Sequence, residues 1–150
     1  MASVGLQKDI WVLVCDGRKA LLLHNAGDRV YPKLETKESF EHSEQRTSEM
    51  GSAGPGRVFG SGGVRSSTEE TDMHTLAEQA FLKHVAQHLD REVAAKHIHK
   101  LILVAPARAL GMIRKELSHA VQGVIAAEVD KDYVKFPVYE IESHLAKALE

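Results

Sequence analysis

Residues 54–65 read GPGRVFGSGGVR and carry the residue types best suited to contact with an anion. Gly60, Gly62 and Gly63 let the backbone approach a crowded surface, because a residue without Cβ reaches conformations closed to the others. Successive backbone N–H groups in such a stretch form an anion-binding nest. Arg57 and Arg65 flank these glycines, and a guanidinium donates paired hydrogen bonds to a phosphate or carboxylate. GSGG lacks the lysine of a phosphate-binding P-loop and does not open directly into a helix, which argues against nucleotide binding. Val64, next to the glycines, offers a stiff apolar side chain with neither donor nor acceptor.

Metal chemistry is not expected. Among the nine histidines, His84 and His88 stand one helical turn apart, and His97 and His99 two residues apart. Zinc takes three or four ligands at a shaped site. Neither pair has a neighbouring third ligand, no HExxH occurs, and the lone cysteine, Cys15, sits in the apolar run IWVLVCD. His84 and His88 are expected at the edge of a helix's apolar face, half-covered by a sheet. Nuclease chemistry on divalent cations needs several converging carboxylates. Asp16 ends the first apolar run, and Glu78 would have to face inward from a helix. The run KLILVA adds no acid. Asp16 is read as a hairpin-turn residue. The expected catalytic set, metal and cofactor are therefore none.

The elements that position these residues follow from hydrophobic period. Residues 10–16 (IWVLVCD) form a run of the kind buried on both faces of a sheet. Gly17 and Arg18 make a tight turn into residues 19–24 (KALLLH), so a hairpin is expected. A second turn at 25–28 leads to a third strand at 30–40, where Pro32 points to an edge or a bulge. The period disappears from 41 to 72, which reads as a long, flexible loop. A helix is expected from Asp72, an N-cap residue, to Ala95. Phe81, Leu82, Val85, Leu89 and Val93 share its apolar face. A strand at 100–105 precedes a helix opened by Pro106, on which Leu110, Ile113, Leu117 and Val121 recur at one helical spacing. A fifth strand at 124–130 and a last helix after Pro137, carrying Ile141, Leu145 and Leu149, complete the pattern. The order is a three-strand antiparallel meander followed by αβαβα. Strands joined through helices lie parallel, which makes the sheet mixed and the class α/β. Leu13, Leu22, Leu103 and Ile113 are expected in the core, and Trp11 and Tyr31 are expected to pack.

At 150 residues the chain suits one domain spanning 1–150. Its 43% hydrophobic content and net charge of −2 fit a folded domain without the basic footprint of a general nucleic-acid or membrane binder. The single cysteine forms no internal disulfide and suits a reducing compartment. The first apolar stretch is too short for a span and lacks the flanks of a signal peptide. A cytoplasmic location without a membrane partner is expected.

WVLVCDGRKALLL, GPGRVFGSGG, HTLAEQAFLKHVAQHL, HKLILVAPARALGMIRKEL and VDKDYVKFPVYEIESHL follow one another across nearly the whole chain. In this order and spacing they resemble the bacterial family of proteins required for attachment to host cells. That family in turn resembles the middle domain of archaeal and eukaryotic class-1 peptide release factors, which implies a ribonuclease-H-like mixed sheet. The resemblance implies a role for the loop as well. In release factors a Gly-Gly-Gln tip enters the peptidyl-transferase centre and positions water against the peptidyl-tRNA ester. The matching positions here are Gly62, Gly63 and Val64, so the glutamine is absent; Gln45 and Gln79 are too far away to replace it. Residues 41–72 hold six acids against the three bases Arg46, Arg57 and Arg65, a balance opposite to the one that phosphate-rich RNA attracts. The reading is a non-catalytic binding module that meets a ribosome- or RNA-related partner, or a protein partner, through residues 54–66. The alternatives are a hydrolase of peptidyl-tRNA or another ester, and an adhesion factor acting at the host surface. The sequence leaves the oligomeric state open.

Overall fold

A computed structural model of the chain describes residues 5–42 and 67–149. β1 (Trp11–Cys15), β2 (Lys19–Asn25) and β3 (Leu34–Glu41) form the antiparallel meander. The long helix α1 (Ser67–Ala94) then leads to β4 (Leu101–Ala105). Two short helices follow, α2 (Ala107–Arg114) and α3 (His119–Val124), then β5 (Ile125–Asp130) and α4 (Val138–Ala148). The described strands make one five-stranded sheet in the order β3-β2-β1-β4-β5. β4 is parallel to both β1 and β5, so the sheet is mixed, as the connections require.

Alternation along the strands sorts the core into two layers. Leu13, Cys15, Leu22, Leu101 and Leu103 face α1, α2 and α3, where Leu82, Val85, Leu89, Ile113 and Val121 cover them. Val12, Val14, Leu23, Ile102 and Val104 face the other way, under Ile141, Leu145 and Leu149. Leu13, Leu22, Leu103 and Ile113 are buried as expected. Val93 packs half-buried at the end of the α1 apolar face. β3 is an edge strand, and its register with β2 shifts between Leu22 and Leu23. Pro32 lies just before it.

Four expectations are corrected. α1 begins at Ser67 rather than Asp72, and β3 runs to Glu41, so the expected loop at 41–72 contracts at both ends. The acids of STEETD suit the positive end of a helix dipole, which outweighs the missing apolar period there. The single helix expected after Pro106 is two helices. The chain breaks between Arg114 and His119, and Ser118 caps the second, its Oγ accepting from the N–H of Val121 at 3.1 Å. Leu117 and Val121 stay buried through the break, so the hydrophobic period survives it. Tyr31 does not pack: it stands 79% exposed in the turn before β3. Pro106 and Pro137 sit one residue earlier than expected, at the N-caps of their helices.

Candidate functional site at the carboxyl end of the parallel strands

β1 and β4 are parallel, and their carboxyl ends open onto the β1–β2 turn, the end of β3, the first half of α1 and the start of α2. In α/β sheets this is the end where ligand groups collect. Asp16 builds the turn. Its Oδ1 accepts from the backbone N–H of Arg18 and of Lys19, each at 2.8 Å. Gly17 at the tip lets α1 come close, since a Cβ there would stand 2.8 Å from Cδ of Glu78. Glu78 pairs with Nη1 of Arg108 in the first turn of α2, and Nη2 of Arg108 donates to Oγ1 of Thr75 at 3.0 Å.

Two adjoining clefts result. One, of about 240 Å³, lies between Gly17, Arg18, His42, His74, Ala77 and Glu78. The other, of about 280 Å³, shares Gly17, Arg18 and Glu78 and reaches Asp16, Arg108 and Met112. His42 closes the first cleft. Its N–H donates to the carbonyl of Arg18 at 2.7 Å, its ring lies 6.4 Å from Phe81, and its Nδ1 is buried without a hydrogen-bond partner. His42 is also the last described residue before position 67.

The site is polar and of mixed charge. The Asp16 carboxylate holds the turn and that of Glu78 holds Arg108. Among the described residues no group of three or more His, Cys, Asp or Glu could hold a metal ion. His88 is half-buried, its ring 5.2 Å from Phe40 and its Nε2 buried without a partner. His84 is exposed, against the expectation of half-cover, and meets the same ring edge-on at 6.0 Å. Cys15 is fully buried, and burial pushes its thiol up to about 12, with the Asp16 charge adding to the rise. It is no nucleophile at neutral pH. A larger cleft, of about 640 Å³, lies between α2, α3 and β5. Leu117, Ile125 and Ala127 line it beside the Arg114–Glu128 ion pair, whose carboxylate raises the pKa of the Arg114 guanidinium. That cleft holds no acid–base pair apart from this bridge, so the polar end of the sheet is the better site.

The residues singled out in the sequence, Arg57, Gly60, Gly62, Gly63, Val64 and Arg65, lie outside the described residues. The structure brings together Asp16, Gly17, Arg18 and Glu78, which the sequence named, with His42, His74, Thr75 and Arg108, which it did not. One signal was available for Arg108: a basic residue in the first helical turn after a buried parallel strand falls at the ligand end of such a sheet.

A family model described as "Protein required for attachment to host cells" matches residues 11–145. None of the curated proteins matches the chain. Among solved structures, the archaeal translation termination factor aRF1 superposes with a TM-score of 0.46 at 11% identity, over 93% of this chain and 37% of that one. S. cerevisiae Dom34, described as a translation termination-like factor involved in RNA quality control, superposes with a TM-score of 0.41 at 13% identity, over 97% of this chain and 37% of its own. The chain thus spans little more than a third of the length of either. By the match over residues 11–145, it belongs to the family of proteins required for attachment to host cells.

Proposed function

We propose that this member of the host-attachment family is a non-catalytic binding module that offers residues 54–66 to a ribosome- or RNA-related partner. Arg57 and Arg65 supply the charge contacts. Gly60, Gly62 and Gly63 supply close backbone approach beside Val64. The observation that carries the reading is the cleft that joins His42 to His74, Ala77 and Glu78. The chain leaves the sheet at His42 and returns as α1, whose residues His74, Ala77 and Glu78 share a polar cleft with His42. A recognition loop on a rigid scaffold is a common arrangement for binding sites.

Catalysis is not part of the proposal. Val64 carries no amide to orient a water molecule, and Asp16 and Glu78 are held in contacts within the domain. The attachment role is then indirect, exerted from the cytoplasm, where a lone buried thiol stays reduced. No described helix is long and apolar enough to cross a membrane.

Affinity capture of the full chain from native lysate, with and without nuclease, tests the reading. The expected result is recovery of ribosomal RNA that nuclease removes. Capture of the same proteins with or without nuclease, and of no RNA, would replace the RNA-related partner by a protein partner.

A further inference from the structure

α1 is two things in one helix. From Phe81 onward its apolar face is buried against the sheet, with Leu82, Val85 and Leu89 each no more than 1% exposed. Between Met73 and Ala80 no side chain is buried. At 1.5 Å per residue, residues 73–80 form an arm about 12 Å long ahead of Phe81, the first buried anchor among the described side chains of α1. A helical stretch without a buried face gains little from tertiary packing and belongs to the weakly held parts of a fold.

Polar contacts fasten this arm. Arg108 reaches two of its residues with one guanidinium, donating to Oγ1 of Thr75 and pairing with Glu78. Gln79 adds a longer hydrogen bond to Glu116 at 3.3 Å. The Glu78 side chain is 22% exposed and that of Arg108 61%, so water screens the pair. Gly17 makes the approach feasible, because any Cβ at that position would collide with the Glu78 carboxyl group. Arg108 itself is fixed by its place in the first turn of α2, directly after the buried strand β4.

We propose that Arg108 is a positioning residue: by holding Thr75 and Glu78 against the Gly17 turn, it sets the direction in which residues 67–80 leave the domain. Its functional consequence rests on the reading above, since the arm determines where the preceding residues are delivered. The planar fork matters as much as the charge, because a lysine ammonium does not hold both partners in one fixed plane.

Backbone hydrogen exchange on the full-length chain tests this. Arg108→Ala should speed exchange in residues 67–80 by about fivefold, the weight of one partly exposed ion pair. Residues 81–94 should change by less than this, and Tm should fall by no more than about 2–4 °C. Arg108→Lys should fall between, and Gly17→Ala should act as Arg108→Ala does, by displacing Glu78. Arg114→Ala breaks a similar arginine–glutamate pair at the other end of α2 and should leave residues 67–80 unchanged. Unaltered exchange of residues 67–80 in Arg108→Ala would overturn the proposal. So would faster exchange spread equally over both halves of α1 with a Tm loss well beyond that, which would mark Arg108 as merely structural. Ribosome association of the same variants reads the consequence separately. If the wild-type chain never associates but the exchange pattern holds, the positioning role stands and the ribosomal partner fails.

Discussion

Replacing Asn25 by alanine removes the centre of a network that ties the amino-terminal segment to the β2–β3 turn. Asn25 is the buried polar residue of the described core, 0% exposed. Its Nδ2 donates to the carbonyls of Leu6 and Gln7, each at 2.9 Å. Its Oδ1 accepts from the N–H of Gly27 at 3.0 Å and of Lys33 at 2.9 Å. A neutral hydrogen bond contributes about 1 kcal/mol net, which gives about 4 kcal/mol for four. Three of the four are part-buried, so water recovers some of the loss, and a cost of about 3 kcal/mol is expected. In a chain of this size that lowers Tm by about 6–12 °C. Asn25→Asp separates donors from acceptors. It keeps both bonds from Gly27 and Lys33 but turns a carboxylate toward the carbonyls of Leu6 and Gln7. It should be at least as unstable at pH 7 and recover relative to the wild type on acidification, when the protonated acid donates to one carbonyl. Urea melts at pH 7 and pH 5 read both effects. A loss below about 1 kcal/mol for Asn25→Ala, or an Asn25→Asp variant as stable as the wild type at pH 7, would refute the network's weight.

Leu103→Ala should cost about 2–5 kcal/mol in urea denaturation, since Leu103 is fully buried in β4 opposite Leu13. Cys15 should make stability fall at high pH. Its thiol is raised from 9.0 to about 12 in the folded chain, so only the unfolded chain ionises it between those values, and stability drops as pH rises through that window. Between pH 9 and 10 the wild type should lose about 1 kcal/mol more than Cys15→Ala in paired denaturation curves. Val64→Gln should give no peptidyl-tRNA hydrolysis in a release assay, because the acidic flanks remain; measurable hydrolysis would show that the glutamine alone was missing.

The sheet was legible because its strands carry their burial in their composition. IWVLVC and KALLLH are too apolar to lie anywhere but inside, and the apolar face of α1 repeats cleanly from Phe81 to Val93. The break at Ser118 was not legible, since Leu110, Ile113, Leu117 and Val121 keep a helical period across two separate helices. The start of α1 was hidden because STEETD has no apolar period and residues 73–80 bury no side chain for a hydrophobic pattern to report. Asn25 read as an ordinary turn residue, and only the fold brings Leu6 and Lys33 to it. His42 and the contacts of Arg108 were hidden for a related reason. Their partners lie 30 or more residues away or on another element, and no local pattern records such a meeting.

Sedimentation of the wild-type chain with lysate ribosomes through a sucrose gradient at low salt tests the central claim most directly. The account predicts that the protein travels with the ribosomal fractions. It also predicts that Gly62→Val with Gly63→Val abolishes this without changing Tm, and that Arg57→Ala with Arg65→Ala weakens it and flattens its salt dependence. A wild-type protein that stays entirely in the top fractions would contradict the ribosomal reading and leave a protein partner as the target of residues 54–66.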